Sequence, residues 1–550
     1  MAGQPEESPI ASFYAGRSVF ITGATGFIGK VLVEKLLRSC PDIKTLYILC
    51  RVKRGQEPRE RVEALLQNDL FDRAKKEVPG CDTKIKPVPG DITEDGLGIA
   101  YDMRAEMIAN VSVIIHVAAT IRFDEPIKTA AKMNIVSVQQ ILSLARALKD
   151  CAAVVHTSTA YGHTYQMECT EAFNSASHDP AMLIKLLDHA SDEVADAATP
   201  ALIKRHPNTY TFTKNCAEEV MRQGHVEGMP VCVVRPSIVT STWREPVVGW
   251  TDTFAGPSGL MTAAGSGMAR IVPGAKDKKV DMVPVDTVAN FLVVAGWHTY
   301  MRCRAAPDSP LYQLPAPVLN ATSGSDNPEL IGNFVVHIND SLEKFPMKSK
   351  LARRPSLAIM NLEGSSVKDT WGWRVWIFKY WEMASHWFPG YLLDLAAMLS
   401  GSKAFSTVVY KRINRIMTDY EYFLSNEWEW PNENCKRVQR AMSEHDRRVF
   451  NICLKTLHWP TYIEKMIIGI KQFKLDEGVD SRTVADARRH LRNIALRGMA
   501  TRVATAVVFV KAAQSFGFAR TGKTVTQSLW IAIFIMAWYS RRFRAWLAEV

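Results

Sequence analysis

Short apolar runs alternate along the first part of the chain with longer stretches in which apolar residues recur every three or four positions. Such runs, rich in Val, Ile and Leu, are typical of strands buried on both faces, and the stretches between them are typical of helices. Strands that alternate with helices predict a parallel sheet covered by helices. We therefore predict an α/β fold with a Rossmann-type, doubly wound sheet. The apolar runs are residues 19–22, 45–50, 85–88, 111–120 and 153–161.

The first run leads directly into a glycine-rich turn, since residues 19–30 read V-F-I-T-G-A-T-G-F-I-G-K. Glycines here let the backbone turn tightly and approach a pyrophosphate, while the next helix offers its free N–H groups. Three glycines alone are also compatible with a plain turn, but the flanking strand and helix favour a dinucleotide site. The residues predicted to bind the cofactor here are Thr22, Gly23, Thr25, Gly26, Phe27, Ile28 and Gly29.

The second strand ends at a basic residue, Arg51, with Lys53 and Arg54 close behind. In dinucleotide-binding folds, an acidic residue at about this distance from the glycines holds the ribose 2′-hydroxyl of NAD. An arginine at this place could instead pair with a 2′-phosphate, so we predict NADPH as the cofactor in preference to NADH. The alternative is a solvated basic turn.

Two further segments are expected to border the cofactor. Asp91 follows the third strand, with Ile92 beside it, and its carboxylate could accept a hydrogen bond from the adenine amino group. Ala118 and Ala119 lie near the end of the fourth run, where small side chains would let a cofactor lie against bare backbone. Both positions agree with a fold whose ligands bind beyond the carboxyl ends of the strands.

Candidate catalytic residues follow the fifth run. The sequence T-Y-T-F-T-K at residues 209–214 places Tyr210 and Lys214 four positions apart, on one face of a helix. The ordinary pKa of tyrosine is about 10, and a nearby ammonium and a cationic nicotinamide would lower it. We expect Tyr210 to give a proton to a carbonyl oxygen as hydride arrives, with a hydroxyl of Thr159 or Ser158 holding that oxygen. An exposed helical pair without catalytic role is the alternative.

These residues belong to a set of phrases that resembles the fatty acyl-CoA reductases of the extended short-chain dehydrogenase/reductase superfamily. The phrases are T-G-A-T-G-F-I-G, H-V-A-A-T-I-R-F-D-E-P, S-T-A-Y, Y-T-F-T-K, V-R-P-S-I-V and E-P-V-V-G-W. A second block, Y-F-L-S-N-E-W-E-W-P-N-E-N at residues 422–434 followed by D-R-R-V-F at 446–450, resembles the C-terminal domain of that family. The resemblance covers about residues 13–475 and is weaker between 307 and 391.

The resemblance implies an NADPH-dependent enzyme that reduces a long-chain fatty acyl-CoA to a primary alcohol. CoA would be released, and an aldehyde would stay bound between two reductions. The alternatives are a hydroxysteroid or nucleotide-sugar dehydrogenase, which shares the glycines and the Tyr/Lys pair, and a membrane-tethered scaffold that binds NADPH without turnover. The second block counts against the first alternative, and an intact Tyr/Lys pair counts against the second.

The resemblance also assigns individual residues. It implies Tyr210 as the acid and Lys214 as its partner. The hydroxyl stays open, because counting from the strand favours Thr159, whereas the phrase S-T-A-Y keeps Ser158 under consideration. From the phrase V-R-P-S-I-V, three more residues are expected in the cofactor site, namely Pro236, Ser237 and Ile238.

The length of 550 residues, with 47% hydrophobic and 22% charged residues, indicates a globular protein of several domains. We predict a cofactor-binding catalytic domain at 13–305, a connecting and substrate-lining region at 306–390, a helical domain at 391–500 and a membrane-associated tail at 501–550. Residues 172–201 are predicted to form a helical insertion that lines the substrate entrance. No metal site is predicted there, because His178 and His189 lack a ligand spacing.

Ten scattered cysteines without a C-x-x-C pair indicate reduced thiols in a protein that faces the cytosol. No cysteine stands in the context of a nucleophile, so we expect direct hydride attack on the thioester without an acyl-enzyme.

The net charge is +11, and basic residues are concentrated near the C-terminus. Aromatic–basic interleaving of the RNA-binding kind is missing, which argues against nucleic acid as a partner. Residues 524–540 carry no charge and are near the lower limit of about 17 residues for a membrane span; a core helix is the alternative. A single span would carry Arg541, Arg542 and Arg544 across the membrane, so we prefer a hairpin or interfacial helices that keep them beside the cytosolic leaflet.

Residues 371–399 are aromatic and amphipathic. They are expected to form a second membrane contact, the mouth of an acyl tunnel or a pair of core helices, and the sequence leaves these open. Taken together, the sequence predicts a membrane-associated enzyme that faces the cytosol, on the endoplasmic reticulum in preference to the peroxisome. Its expected partners are a long-chain acyl-CoA and, through the C-terminal segment, membrane lipid.

Overall fold

The computed structural model describes residues 7–493 and 496, apart from residues 54, 306–312, 315–316, 349–355, 404–405 and 494–495. The described residues form two compact units, each assembled from separate segments of the chain. The first unit lies within Met1–Thr251, Asp281–Pro328 and Trp428–Leu457, and the second within Asp252–Val280, Glu329–Glu427 and His458–Val550. The two units therefore interleave along the chain, unlike the consecutive segments predicted from the sequence.

Seven strands form one sheet in the first unit, and the others form two-stranded pairs. The strands are β1 (Ser18–Thr22), β2 (Thr45–Cys50), β3 (Ile85–Pro89), β4 (Val111–His116), β5 (Ala153–Thr157), β6 (Val231–Pro236), β7 (Ile238–Thr240), β8 (Ile271–Pro273), β9 (Lys279–Val280), β10 (Met282–Pro284), β11 (Val318–Ala321), β12 (Glu329–Leu330) and β13 (Ala358–Met360).

Helices connect the strands and dominate the later part of the chain. They are α1 (Pro9–Tyr14), α2 (Phe27–Ser39), α3 (Pro58–Leu66), α4 (Asp72–Glu77), α5 (Tyr101–Asn110), α6 (Ile127–Ala131), α7 (Ser137–Ala147), α8 (Pro180–His189), α9 (Asp192–Leu202), α10 (Thr209–Val226), α11 (Pro257–Gly265), α12 (Val285–Ala305), α13 (Ile331–Lys344), α14 (Trp373–Glu382), α15 (Phe388–Leu399), α16 (Ser406–Ser425), α17 (Glu433–Ala441), α18 (Glu444–Val449) and α19 (Trp459–Gly469). Short π-helical turns occupy Lys132–Val136, Met383–Trp387 and Ile470–Lys474.

The large sheet is parallel throughout and has the order β11–β6–β5–β4–β1–β2–β3. Its central strands are buried along their length, because helices cover both faces, and this explains their continuous apolar sequences. Apart from the added β11, the order is that of dinucleotide-binding folds. The predicted α/β fold with a parallel Rossmann-type sheet is therefore confirmed. Two strands end earlier than their apolar runs, β4 at His116 and β5 at Thr157, because the following residues turn away from the sheet.

The segment Trp428–Leu457 packs within the first unit although it is distant in sequence. The carboxylate of Asp446 accepts hydrogen bonds from the Ser8 hydroxyl and from the Ile10 N–H, the latter at 3.2 Å. The ammonium of Lys35 on α2 donates to the Val449 carbonyl at 2.6 Å and lies 5.0 Å from the centre of the Phe450 ring. The phrase D-R-R-V-F thus joins the N-terminal region and α2 to the C-terminal block.

The second unit combines helices with two small strand pairs, β8 with β13 and β9 with β12. One of its apolar clusters is formed by Ile271, Met360, Leu362 and Phe378. Among the residues that the structure describes, none of the helices has both the length and the apolar sequence that a membrane span requires. The predicted tail at 501–550, with its uncharged run at 524–540, lies outside the described residues.

Candidate active site

The glycine turn after β1 is shaped by two close backbone approaches. Gly23 has a φ of 73°, and a Cβ atom built on it would lie 2.6 Å from the backbone nitrogen of Ala118. A Cβ atom on Gly29 would collide with the carbonyl oxygen of Gly23. Gly26 is the N-cap of α2, and its side-chain position meets only the Gly23 carbonyl. The turn therefore requires glycine at Gly23 and Gly29, and it leaves the N-terminus of α2 bare for a phosphate.

A hydrogen-bonded link joins the ends of β1 and β4, where the order of strands in the sheet reverses. The hydroxyl of Thr22 lies 2.7 Å from His116 Nδ1 and accepts the Ala118 N–H at 3.2 Å. Burial lowers the pKa of His116 to about 3, so its ring is neutral. Such a reversal point is where this kind of sheet binds its ligand, and the predicted residues Ala118 and Ala119 follow it directly.

Two arginines lie beside the glycine turn, and only one of them was predicted. Arg51 pairs with Asp91 at 3.3 Å and remains half exposed. Arg61 on α3 donates to the Arg51 carbonyl at 2.6 Å and to the Thr25 hydroxyl at 2.8 Å. The ion pair links Arg51 to Asp91, and the two hydrogen bonds of Arg61 hold the Arg51 backbone beside the glycine turn. We call Arg51 and Arg61, which are joined through the Arg51 carbonyl, the cationic corner.

The remaining predicted cofactor residues lie at strand ends. Asp91 also accepts two hydrogen bonds from Thr93, and although burial acts against it, these bonds and Arg51 lower the pKa of Asp91. Its neighbour Ile92 has a buried side chain that belongs to the core. Phe27, at the start of α2, stacks on Trp250 with ring centres 5.7 Å apart. Ile28 follows within α2, and Pro236, Ser237 and Ile238 lie where β6 ends and β7 begins.

The predicted acid, Tyr210, lies in the first turn of α10. Asn208 caps this helix by accepting the Thr211 N–H at 2.9 Å, and the Tyr210 ring stacks on Phe123 with ring centres 6.0 Å apart. Burial raises the pKa of Tyr210 to about 12, and its hydrogen bond with Thr159 acts in the opposite direction. The expected lowering by an ammonium together with a cationic nicotinamide stays a prediction; within the chain itself, desolvation is the larger effect. Tyr210 is therefore a neutral phenol at physiological pH.

Lys214 lies one helical turn further along α10 and is buried. Its ammonium donates to the carbonyl oxygen of Thr157, the last residue of β5, at 2.7 Å. Burial lowers the pKa of Lys214 to about 7, and the negative charge of Glu218 opposes this shift. Lys214 is thus tied to the strand end from which the predicted hydroxyl residues extend.

The two candidate hydroxyls have different partners. The Thr159 hydroxyl lies close enough to the Tyr210 phenol to lower its pKa, whereas the Ser158 hydroxyl donates to the buried carboxylate of Glu218. The same carboxylate accepts hydrogen bonds from Arg235, the shortest at 2.6 Å, and lies 2.9 Å from His163 Nε2. Burial alone would raise the pKa of Glu218, but the charges of Arg235 and His163 hold it far below its usual range. The geometry therefore favours Thr159 as the hydroxyl that acts with Tyr210.

Comparison with known proteins identifies the family. Two models described as male sterility protein match residues 21–292 and 385–477. Fatty acyl-CoA reductase 1 of Xenopus laevis is 36% identical over 487 residues, covering 88% of this chain and 89% of that protein. Its Homo sapiens counterpart is 35% identical over 485 residues, with the same coverage. The chain belongs to the fatty acyl-CoA reductase family.

Solved structures support the fold of this family member. The terminal R domain from the myxalamid PKS-NRPS biosynthetic pathway is 16% identical, covers 83% of this chain and 91% of its own, and superposes with a TM-score of 0.51. At that identity the likeness concerns the fold alone. The second family match covers residues 385–477 and so includes the whole C-terminal block at 422–450, which a hydroxysteroid or nucleotide-sugar dehydrogenase would leave unexplained.

Two phrases that suggested the reductase family meet in space. Tyr161 of S-T-A-Y lies edge-on to Trp428 and Trp430 of E-W-E-W, with ring centres 5.7 and 5.3 Å apart. The indole of Trp430 donates to the Ala160 carbonyl at 2.9 Å, and that of Trp428 donates to the Thr164 carbonyl at 3.0 Å. The C-terminal block therefore supports the backbone that follows Thr159.

Sequence reasoning missed several residues of this site. Glu218 could have been found, since Tyr210, Lys214 and Glu218 recur every four positions on one helix. Arg61 gave no comparable signal, because its contacts depend on how α3 packs beside the glycine turn. The predicted insertion at 172–201 is helical: α8 lies within it, and α9 ends one residue beyond it. In the part of the chain that the structure describes, no cluster of three or more His, Cys, Asp or Glu could hold a metal ion.

Proposed function

We propose that this chain reduces long-chain fatty acyl-CoA to a primary alcohol with two molecules of NADPH. CoA leaves after the first reduction, and the aldehyde stays bound for the second. The observation that carries the proposal is the attachment of α10 to the end of β5, where the Lys214 ammonium donates to the Thr157 carbonyl at 2.7 Å. Tyr210 and Thr159 therefore lie beyond β5, on the side of the sheet where β1 enters the glycine turn. Family membership supplies the substrate class, because the curated relatives are named fatty acyl-CoA reductases.

The residues of the site divide the work of proton transfer. When bound, the cofactor supplies a hydride to the carbonyl carbon in each reduction. Tyr210 holds its proton at neutral pH, because burial raises its pKa to about 12, and can give that proton to the carbonyl oxygen as negative charge develops there. Thr159 orients the phenol and can donate to the same oxygen. Each reduction consumes one hydride and one proton, and the first also releases the CoA thiol.

The NADPH preference rests on the cationic corner. The Arg61 guanidinium lies beside Thr25 of the glycine turn and against the Arg51 carbonyl, and the Arg51 guanidinium is half exposed beside Asp91. A 2′-phosphate is a stronger partner for guanidinium groups than a ribose hydroxyl. Because Gly23 and Gly29 carry no side chains, the backbone of the turn is accessible to a pyrophosphate. These residues fit a phosphorylated dinucleotide, with Asp91 near the adenine side.

The reaction is tested with purified protein, NADPH and acyl-CoAs of graded chain length, followed by analysis of aldehyde, alcohol and free CoA. We expect long-chain alcohol and CoA in equal amounts. Accumulation of aldehyde without alcohol would limit the reaction to its first step. Consumption of NADPH without CoA release would exclude acyl-CoA as the substrate.

The cofactor preference is tested with Arg51→Glu and Arg61→Ala. Each removes a charge-assisted contact of roughly 1.5–3 kcal/mol, so NADPH affinity should fall about 10- to 100-fold while NADH affinity changes little. Arg59→Ala on the same helix is the matched control, because Arg59 pairs with Glu63 on the surface. An unchanged preference in both variants would show that the 2′-phosphate lies elsewhere.

We also propose that residues 501–550 attach the protein to a cytosol-facing membrane, on the endoplasmic reticulum in preference to the peroxisome. The uncharged run at 524–540 between Lys523 and Arg541 supports this. A glycosylation tag placed after Val550 should stay unmodified if the tail forms a hairpin on the cytosolic side. Modification of the tag would instead establish a span into the lumen.

A further inference from the structure

The helical segment of α14 and α15 exposes a row of large apolar side chains in the second unit. Trp373, Trp376 and Tyr380 on α14 are spaced by three and four residues, as are Phe388, Tyr391 and Leu395 on α15. All six are more than half exposed. We call these six residues the aromatic face.

The two triplets share one side of a continuous helical segment. The π-helical turn Met383–Trp387 joins α14 directly to α15. Residues spaced by three and four lie on one side of a helix, and allowing one extra residue for the π turn leaves the two triplets rotated by only about 40°. The aromatic face is therefore one extended surface.

The opposite side of the same segment is firmly packed, which fixes the outward direction of the aromatic face. Val375 and Phe378 are buried, and Phe378 belongs to the apolar cluster of the second unit. His386 accepts the Arg270 N–H at 3.0 Å. Asp394 accepts two backbone N–H groups at the start of α16, at 2.7 and 2.9 Å. A rotation that buried the aromatic face would break these contacts.

The exposed charges on the segment that carries the aromatic face are mainly positive. Residues 364–418 contain seven Lys or Arg and three Asp or Glu, and three further acids, Glu363, Asp419 and Glu421, lie directly outside this range. Glu363 is paired with Arg374, and Glu421 is buried. Glu382 and Asp394 are turned inward and hydrogen-bonded, to Trp387 and to the start of α16. The exposed cations are Lys368, Lys379, Lys403, Lys411, Arg412 and Arg415.

We propose that the aromatic face docks onto the surface of an anionic lipid bilayer, with α14 and α15 lying in the plane of the interface. Large apolar side chains that lie exposed in one continuous row mark an interaction site. Trp and Tyr are the side chains enriched where a bilayer meets water, and cations beside them are attracted to anionic headgroups. This contact is separate from the tail at 501–550, and lipid binding here requires no catalysis.

The test measures side-chain exposure on the full chain, so that attachment through the tail does not obscure the result. Hydroxyl-radical footprinting is done in buffer, with phosphatidylcholine vesicles, and with vesicles that also contain phosphatidylserine. Oxidation of Trp373 and Trp376 should fall several-fold with the anionic vesicles and less with the neutral ones. Tyr101 in the first unit, which is 85% exposed, is the internal reference and should be oxidised equally under all conditions.

Two outcomes would overturn the proposal. Unchanged oxidation of Trp373 and Trp376 while the protein floats with the vesicles would place the lipid contact elsewhere. Low oxidation already in buffer would mean that another occupant covers the aromatic face, and a rise on dilution would identify that occupant as a second copy of the chain. As an independent measurement, protection of Trp373 by anionic vesicles should be several-fold weaker in Trp376→Ser with Tyr380→Ser, whereas Tyr101→Ser should keep it; equal protection of Trp373 in all three proteins would also count against the proposal.

Discussion

Helix α10 in the first unit and the α14–α15 segment in the second depart from the usual rule of helix burial in opposite ways. On α10, Lys214 and Glu218 are turned inward, and both are buried. On α14, Trp376 and Tyr380 are turned outward and are more than half exposed. Helices of globular proteins normally place apolar residues inside and charged residues outside.

In both cases the surrounding contacts hold the helix in its unusual orientation. Buried charges must be paired, and Glu218 is paired with Arg235 and His163. Exposed aromatic residues lose nothing on folding but promote association. The comparison shows that α10 buries charged groups that serve proton transfer, although their burial lowers stability. The α14–α15 segment instead leaves apolar surface exposed for a partner. Each prediction below changes one side of this contrast.

The largest effect is expected at the phenol of α10. Tyr210→Phe keeps the ring that stacks on Phe123 but removes the proton, so turnover should fall by about 10²–10⁴. Cofactor binding, followed by fluorescence titration with NADPH, should remain. Near-normal alcohol formation by this variant would mean that another residue is the acid.

The next effect concerns the buried carboxylate. Glu218→Gln keeps the shape but leaves Arg235 without its charge partner, so the free energy of unfolding should fall by about 3–5 kcal/mol. Urea denaturation measures this loss. Because the folded-state pKa of Glu218 is lowered, the wild-type advantage is present above the unfolded pKa of about 4.3 and disappears as pH falls through the lower folded value. Glu219→Gln is a matched control, since Glu219 pairs with Arg222, whose side chain is 42% exposed. Equal losses in both variants would contradict the special role of the buried network.

A third prediction uses the pKa of Lys214, which burial lowers to about 7. Between pH 7 and about 10, the unfolded chain keeps the lysine proton and the folded chain does not, so stability of the wild type rises with pH by at most about 1.4 kcal/mol per unit. Lys214→Met should remove this rise. Below pH 7 the variant should be more stable than the wild type, and it should lose reductase activity. Parallel urea curves at pH 6 and pH 9 for both proteins test it; identical pH dependence would show that Lys214 keeps its ordinary pKa.

The same contrast explains what the sequence could reveal. Strands, glycine turn and the Tyr210–Lys214 pair follow local patterns, and these were predicted with their order in the chain. The sequence could not decide between Ser158 and Thr159, because the decision depends on their contacts with α10. On that helix, Glu218 faces Ser158 and Tyr210 faces Thr159. The place of Trp428 and Trp430 in the first unit is likewise a long-range contact. The outward direction of α14 was open, because Trp373–Glu382 is rich in aromatic residues on all sides.

The smallest effect is expected on the outward side of α14, compared with its inward side. Phe378→Ala removes a buried ring and should lower the free energy of unfolding by about 3–5 kcal/mol. Trp376→Ala, two positions earlier, removes a larger side chain that is 63% exposed, and should change stability by no more than about 0.5 kcal/mol. Urea denaturation of the two variants in lipid-free buffer provides the comparison. A large loss for Trp376→Ala would mean that this side chain packs against protein, and the aromatic face would then belong to the core instead of to a partner.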